Sequence, residues 1–147
     1  MADPNATAVK RSLGRCLLNG DVFGTFYNIF LDSDPRVREL FANTEWEAQK
    51  ALLRQGVNNV ISFYEGSATA QAAMDRIRQT HSKAQMNIPP DLYDFWVDSM
   101  VEAVRRHDPE LDAELEAAWK EVLTHGVDYV RAGYDEGGEA EERRREG

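Results

Sequence analysis

The imidazole and thiol donors of this chain are His81, His107, His125 and Cys16. His81 lies four residues after Ile77 and seven after Met74, so on a helix it shares their apolar face. An imidazole there is either a satisfied core histidine or a ligand for something held in the interior. His125 has Glu121 four residues before it and Asp128 three after, which puts both carboxylates on its helical face. Such a cluster could take a metal, but it is also the usual pattern of a solvated, salt-bridged surface. His107 stands beside Asp108 at the end of a helical pattern, where a cation suits the helix dipole. Cys16 sits on an apolar stripe with no histidine near it and reads as a packed thiol, not a nucleophile. The ten glycines form no phosphate-cradling motif, and no G-x-S-x-G nucleophile turn occurs. A single cysteine also excludes an intramolecular disulfide and any site built from several thiolates.

The elements that must position these residues read as helices throughout. Val9, Leu13, Cys16 and Leu17 follow helical spacing from Thr7 onward, and Asn19-Gly20 closes that segment. Asp21 is placed to cap a helix with an apolar stripe of Val22, Phe23, Phe26, Tyr27 and Phe30. Asp34-Pro35 opens a short helix toward Phe41, with proline at the first position, where its missing N–H is not needed. Thr44-Glu45-Trp46-Glu47 matches a capping box before a helix bearing Leu53, Val57, Val60, Ile61 and Tyr64, which stops at Gly66. Ser67 caps the next, which carries Ala70, Met74, Ile77 and His81. Pro89-Pro90 ends it and permits another with Leu92, Phe95, Trp96, Met100 and Val104. Asp108-Pro109 repeats the cap-plus-proline pattern before a last helix with Leu115, Ala118, Trp119, Val122, Gly126, Tyr129 and Val130. Six to seven helices and no convincing strand predict an all-α domain over residues 1–134. Residues 135–147 carry no large apolar side chain and are expected to form a charged, disordered tail.

At 147 residues the chain is one domain, and 42% hydrophobic residues suffice for a real core. Lys and Arg total 17 against 26 Asp and Glu, a net charge of −9 that argues against nucleic acid and anionic membrane as partners. No apolar run reaches the roughly 18 residues of a membrane span, and the N-terminus has no signal-peptide core, so a cytoplasmic location is expected. An aromatic-rich helical domain with one inward-facing imidazole suits an apolar, planar, iron-containing cofactor held through one axial histidine.

Three groups of residues carry a closer likeness. Phe30-x4-Pro35-x5-Phe41 comes first. His81-Ser82 is then followed by Ile88-Pro89 and Leu92-Tyr93. The last helix holds Trp119 and Gly126-Val127. In this order the chain resembles the globin family, in particular bacterial single-domain haemoglobins and the globin part of flavohaemoglobins. The resemblance covers about Thr7 to Tyr134 and implies a globin fold around a haem pocket. It implies haem b (iron protoporphyrin IX) as cofactor, with His81 as the proximal iron ligand. Phe41 would stack on the porphyrin, and Ile88 and Leu92 would lie beside the proximal face. Tyr93 matches the family's tyrosine near that face. Tyr27, fourteen residues before Phe41, would enter the distal pocket. Gln49 is the expected distal-helix partner, with Leu53 as the apolar wall over the iron and Lys50 and Leu52 as alternatives in a shifted register.

One departure stands out. Flavohaemoglobins carry a late glutamate that hydrogen-bonds the proximal histidine, whereas Gly133-Tyr134-Asp135 occupies that region here. A carboxylate bonded to the far nitrogen of a ligating histidine raises its basicity, so the absence of one lowers the expectation of peroxidase-like chemistry. The resemblance therefore implies reversible binding of dioxygen or another diatomic gas, for transport, storage or sensing. The alternative is nitric oxide dioxygenation or nitrite reduction, served by an external reductase. A helical relative that has lost haem is a third reading, against which His81 and Phe41 count.

Overall fold

The computed structural model describes residues 3–135. Among them are seven helices and no strand: α1 (Pro4–Leu18), α2 (Val22–Ser33), α3 (Pro35–Leu40), α4 (Trp46–Tyr64), α5 (Ala68–Thr80), α6 (Leu92–His107) and α7 (Ala113–Ala132). The protein is all-α. Apart from Asp135, the tail expected over 135–147 lies outside the described residues.

Local capping chemistry accounts for most helix starts. Asp21 accepts from the Gly24 N–H at 3.0 Å, Asp34 from Arg36 at 2.9 Å and the Ser67 hydroxyl from Ala70 at 3.2 Å. Three starts differ from the sequence expectation. α1 begins at Pro4 and not near Thr7, because Asp3 accepts from the Asn5 and Ala6 amides ahead of the first apolar position. Glu45, not Thr44, caps α4, its carboxylate accepting from Glu47 and Ala48. α7 is capped by Asp112 through the Leu115 N–H at 2.8 Å, not by Asp108.

Asp108 is instead a buried ion-pair partner. It accepts from the Ser12 hydroxyl at 2.6 Å and from Arg15 Nε at 2.7 Å, and the fully buried Trp119 indole donates to Ser12 Oγ at 2.8 Å. Burial opposes the carboxylate charge, but Arg15 and Ser12 outweigh it and hold the group below the usual carboxylate range. This network ties α1 to the end of α6 and to α7.

The core is continuous. α2 packs along α6, α1 along α7, and α4 against both α5 and α7. A Cβ at Gly126 would lie 2.8 Å from Val60 Cγ1, so the α4–α7 approach depends on glycine there. His107 acts as a structural tie, its ring nitrogens 2.7 Å from Thr25 Oγ1 and 3.0 Å from the Asn19 carbonyl, which joins α6 to the α1–α2 turn.

Candidate functional site

His81 is the C-cap residue of α5, directly after the last helical turn, and is half-buried. Its backbone N–H donates to the Ile77 carbonyl at 2.9 Å, and Nδ1 lies 3.2 Å from Thr80 Oγ1. Burial lowers the imidazole's affinity for a proton, and the nearby Ile77 backbone opposes this only in part. A ring kept neutral, with one nitrogen engaged by the chain, has the electronic form a metal ligand needs.

The segment after His81 folds back on itself. Met86 N–H donates to the Thr80 carbonyl at 3.0 Å, Asn87 to Ser82 at 2.9 Å and Ile88 to His81 at 3.2 Å. Asn87 takes the left-handed conformation (φ 53°), which asparagine tolerates better than most side chains. Tyr134 closes the corner from α7. Its hydroxyl donates to Asn87 Oδ1 at 2.5 Å and its carbonyl accepts from the Lys83 N–H at 2.8 Å. Leu92 and Tyr93, in the first turn of α6, are buried beside it, and Ile88 is half-buried against the core. Burial raises the Tyr93 hydroxyl's pKa, and Arg131, whose guanidinium lies 5.9 Å from the ring centroid, opposes that shift. At Gly133 a Cβ would meet Arg78 Cγ at 2.3 Å, so Arg78 fills the space a side chain there would need. Arg78 in turn donates to the Tyr129 carbonyl at 3.1 Å.

Tyr27 projects from the inward stripe of α2 and is 5% exposed. Gln49 Nε2 donates to its hydroxyl at 3.0 Å. Three rings pack on the phenol: Phe26 and Phe41 edge-on, with centroids 4.9 and 5.5 Å away, and Trp46 tilted at 5.2 Å. Burial raises the Tyr27 pKa, and the Gln49 hydrogen bond works against that. Leu53 is buried one turn further along α4. Of the alternatives to Gln49, Lys50 turns to Asp21 (2.9 Å) and Glu47 (3.2 Å), while Leu52 is exposed. Phe41, the C-cap residue of α3, also contacts Phe30 and Trp46.

Elsewhere the candidates separate. His125 is exposed and packs against the rings of Phe63 and Tyr64, with centroids at 5.0 and 5.3 Å. Among the described residues no group of three or more His, Cys, Asp and Glu side chains is arranged to hold a metal ion. Cys16 is fully buried, and burial pushes its thiol up to about 12, far from a nucleophile's range. Among the same residues no helix is long and apolar enough to cross a membrane.

Sequence reasoning missed two features. Trp46 read only as a spacer in a capping motif, although its spacing to Gln49 and Leu53 puts all three on one helical stripe. Arg78 had no role in the sequence reading, and nothing in its local pattern points to Gly133.

Comparison with known proteins agrees with this geometry. No curated protein matches the chain. The solved structure of PA3967 from Pseudomonas aeruginosa PAO1, described as structurally highly homologous to a human hemoglobin, is 37% identical. It superposes with a TM-score of 0.85 over 88% of this chain and 98% of its own. The family model for globins matches residues 24–130, from α2 to the end of α7, and so takes in Tyr27, Phe41, Gln49 and His81 together. With seven helices packed around these residues, the chain belongs to the globin family.

Proposed function

We propose that the protein binds one haem b noncovalently, with His81 as the axial ligand, and reversibly binds dioxygen or another diatomic gas beside Tyr27 and Gln49. The observation that carries this reading is the state of His81. It is half-buried at the end of α5, its ring Nδ1 lies 3.2 Å from the Thr80 hydroxyl, and burial disfavours the protonated ring. The donor set fits the group. Imidazole is the axial ligand of globins, and no C-x-x-C-H motif or second cysteine exists for thioether attachment. Leu40, Leu52 and Met86, in the segments that flank Phe41, Gln49 and His81, leave large apolar side chains exposed that a flat apolar group would cover.

Haem supplies an iron with one coordination position open to a diatomic ligand. The chain does the rest. His81 would hold the metal through Nε2, the ring nitrogen that does not face the Thr80 hydroxyl. Phe41 and Leu53 exclude water from the two donors. Tyr27 and Gln49 are paired with each other at 3.0 Å, and both can turn a hydrogen toward a ligand that carries partial negative charge. The Gly133-Tyr134-Asp135 region carries no glutamate to increase the basicity of His81, and Arg78 packs against Gly133. This favours binding over oxygen activation, and an external reductase would be needed for turnover.

Hemin titration of the purified chain tests the reading. A Soret band that saturates at one equivalent, with haem extractable into acidified organic solvent, is the expected result. No Soret change would remove it. Rapid turnover of the oxygenated form with nitric oxide and a reductant would replace binding with dioxygenation.

A further inference from the structure

Trp46 has no counterpart among the residues so far given a role. It is the first residue of α4, and its indole packs on Tyr27 (5.2 Å) and Phe41 (6.0 Å) while staying 37% exposed. The inward stripe of α4 runs outward from Val57 through Leu53 and Gln49 to Trp46, from fully buried to water. Phe26 packs edge-on against Tyr27 and against Phe30, and Phe26, Phe30 and Leu53 are all buried in the core. Of the rings that contact Tyr27, Trp46 is the most exposed to solvent.

We infer that Trp46 is the door of the Tyr27–Gln49 pocket, an apolar plug that shields the two donors from water and must swing aside for a diatomic ligand to enter. This rests on the haem reading above.

The turn that carries Trp46 is suited to such motion. A residue at the first helical position has no intrahelical partner for its N–H, so the turn depends on its cap and side chains. Those are the Glu45 carboxylate, accepting from Glu47 and Ala48, and the Lys50 pairs with Asp21 and Glu47. Asp21, Glu45 and Glu47 are exposed, and exposed pairs of this kind contribute little to stability. By contrast Leu53 and Val57, one and two turns on, are locked in the core. The first turn can therefore open while the rest of α4 stays in place, and ring contacts rather than hydrogen bonds hold the door shut.

Two measurements on Trp46→Ala test this, with Trp46→Phe as the conservative variant and Trp46→Leu as a second ringless one. In the hemin-loaded, reduced chain, Trp46→Ala should speed carbon monoxide association by about tenfold, the factor two ring contacts of this type account for. Trp46→Phe should fall between it and wild type. In the hemin-free full chain with 13C-labelled tyrosine, Trp46→Ala should bring the Tyr27 ionisation down toward its ordinary value as water reaches the hydroxyl, and Trp46→Phe should not. Unchanged association together with an unchanged Tyr27 titration would overturn the inference, and lowered thermal stability alone would mark Trp46 as a staple of α4. If hemin fails to bind, the haem reading falls, and the Tyr27 titration still decides whether Trp46 shields the pocket.

Discussion

Around His81 the chain closes through its own backbone, whereas around Tyr27 it closes through side chains. The His81 corner is a ring of main-chain hydrogen bonds spanning Thr80 to Ile88, locked from α7 by Tyr134 at two points. The Tyr27 side has one neutral side-chain bond, from Gln49, and a set of ring edges ending in a half-wet indole. Main-chain bonds within a short closed segment hold a group to one geometry, because opening one strains the others. Ring contacts are individually small and exchange easily for other packing. On the function proposed above, fixed geometry belongs to the side that would hold the metal, and adjustability to the side a ligand would pass.

Variants can break or sharpen that contrast. The largest effect should come from His81→Ala, which removes the proposed axial ligand: the haem spectrum should be lost, or return with added imidazole. His125→Ala and His107→Ala should keep a wild-type spectrum, and loss of haem in His125→Ala alone would move the metal to the other side of α7. Next come Tyr27→Phe and Gln49→Leu. Each donor is worth roughly 1 kcal/mol, or up to about 3 toward a strongly charged ligand, so dioxygen dissociation should rise by about 5- to 150-fold. Carbon monoxide binding should change far less, because carbon monoxide accepts hydrogen bonds weakly. Equal changes for both gases in stopped-flow experiments would mean that the pair fills space and donates nothing. The smallest effect is expected for Tyr134→Phe, which removes the hydroxyl held by Asn87 and leaves the Lys83 bond intact. Losing one such bond should speed hemin transfer to an acceptor apoprotein by about fivefold, with gas kinetics unchanged. A change in gas kinetics without faster hemin loss would show that the His81 corner is not the rigid side.

Much of this was legible before any coordinates. Asp21, Asp34 and Ser67 act as caps because capping depends on residues two or three positions away, and the order of seven helices follows from such signals and from apolar spacing. Where two residues could serve, local pattern chose less well. Glu45 took the role expected of Thr44, and Asp112 that of Asp108, because Asp108 is drawn inward by Arg15 and Ser12, residues more than ninety positions earlier.

The site divides the same way. The sequence by itself determined that His81 would lie on the apolar side of its helix (though not that the helix stops at Thr80, well before Pro89-Pro90), that Tyr27 would face inward from α2, and that Phe41 would follow a proline-opened turn. Each depends on a period of 3.6 residues or on a nearby proline. Only the tertiary structure decided that Gln49, and not Lys50 or Leu52, meets Tyr27. That choice is the rotation of α4 about its axis, set by the path from Phe41 to Glu45 and by the docking of Leu53 and Val57 in the core. Only it placed Arg78 in the space beside Gly133 and Trp46 over the Tyr27 ring. A helix's own pattern states which face is apolar. What that face meets depends on how the helices pack together, and no window of neighbouring residues contains that information.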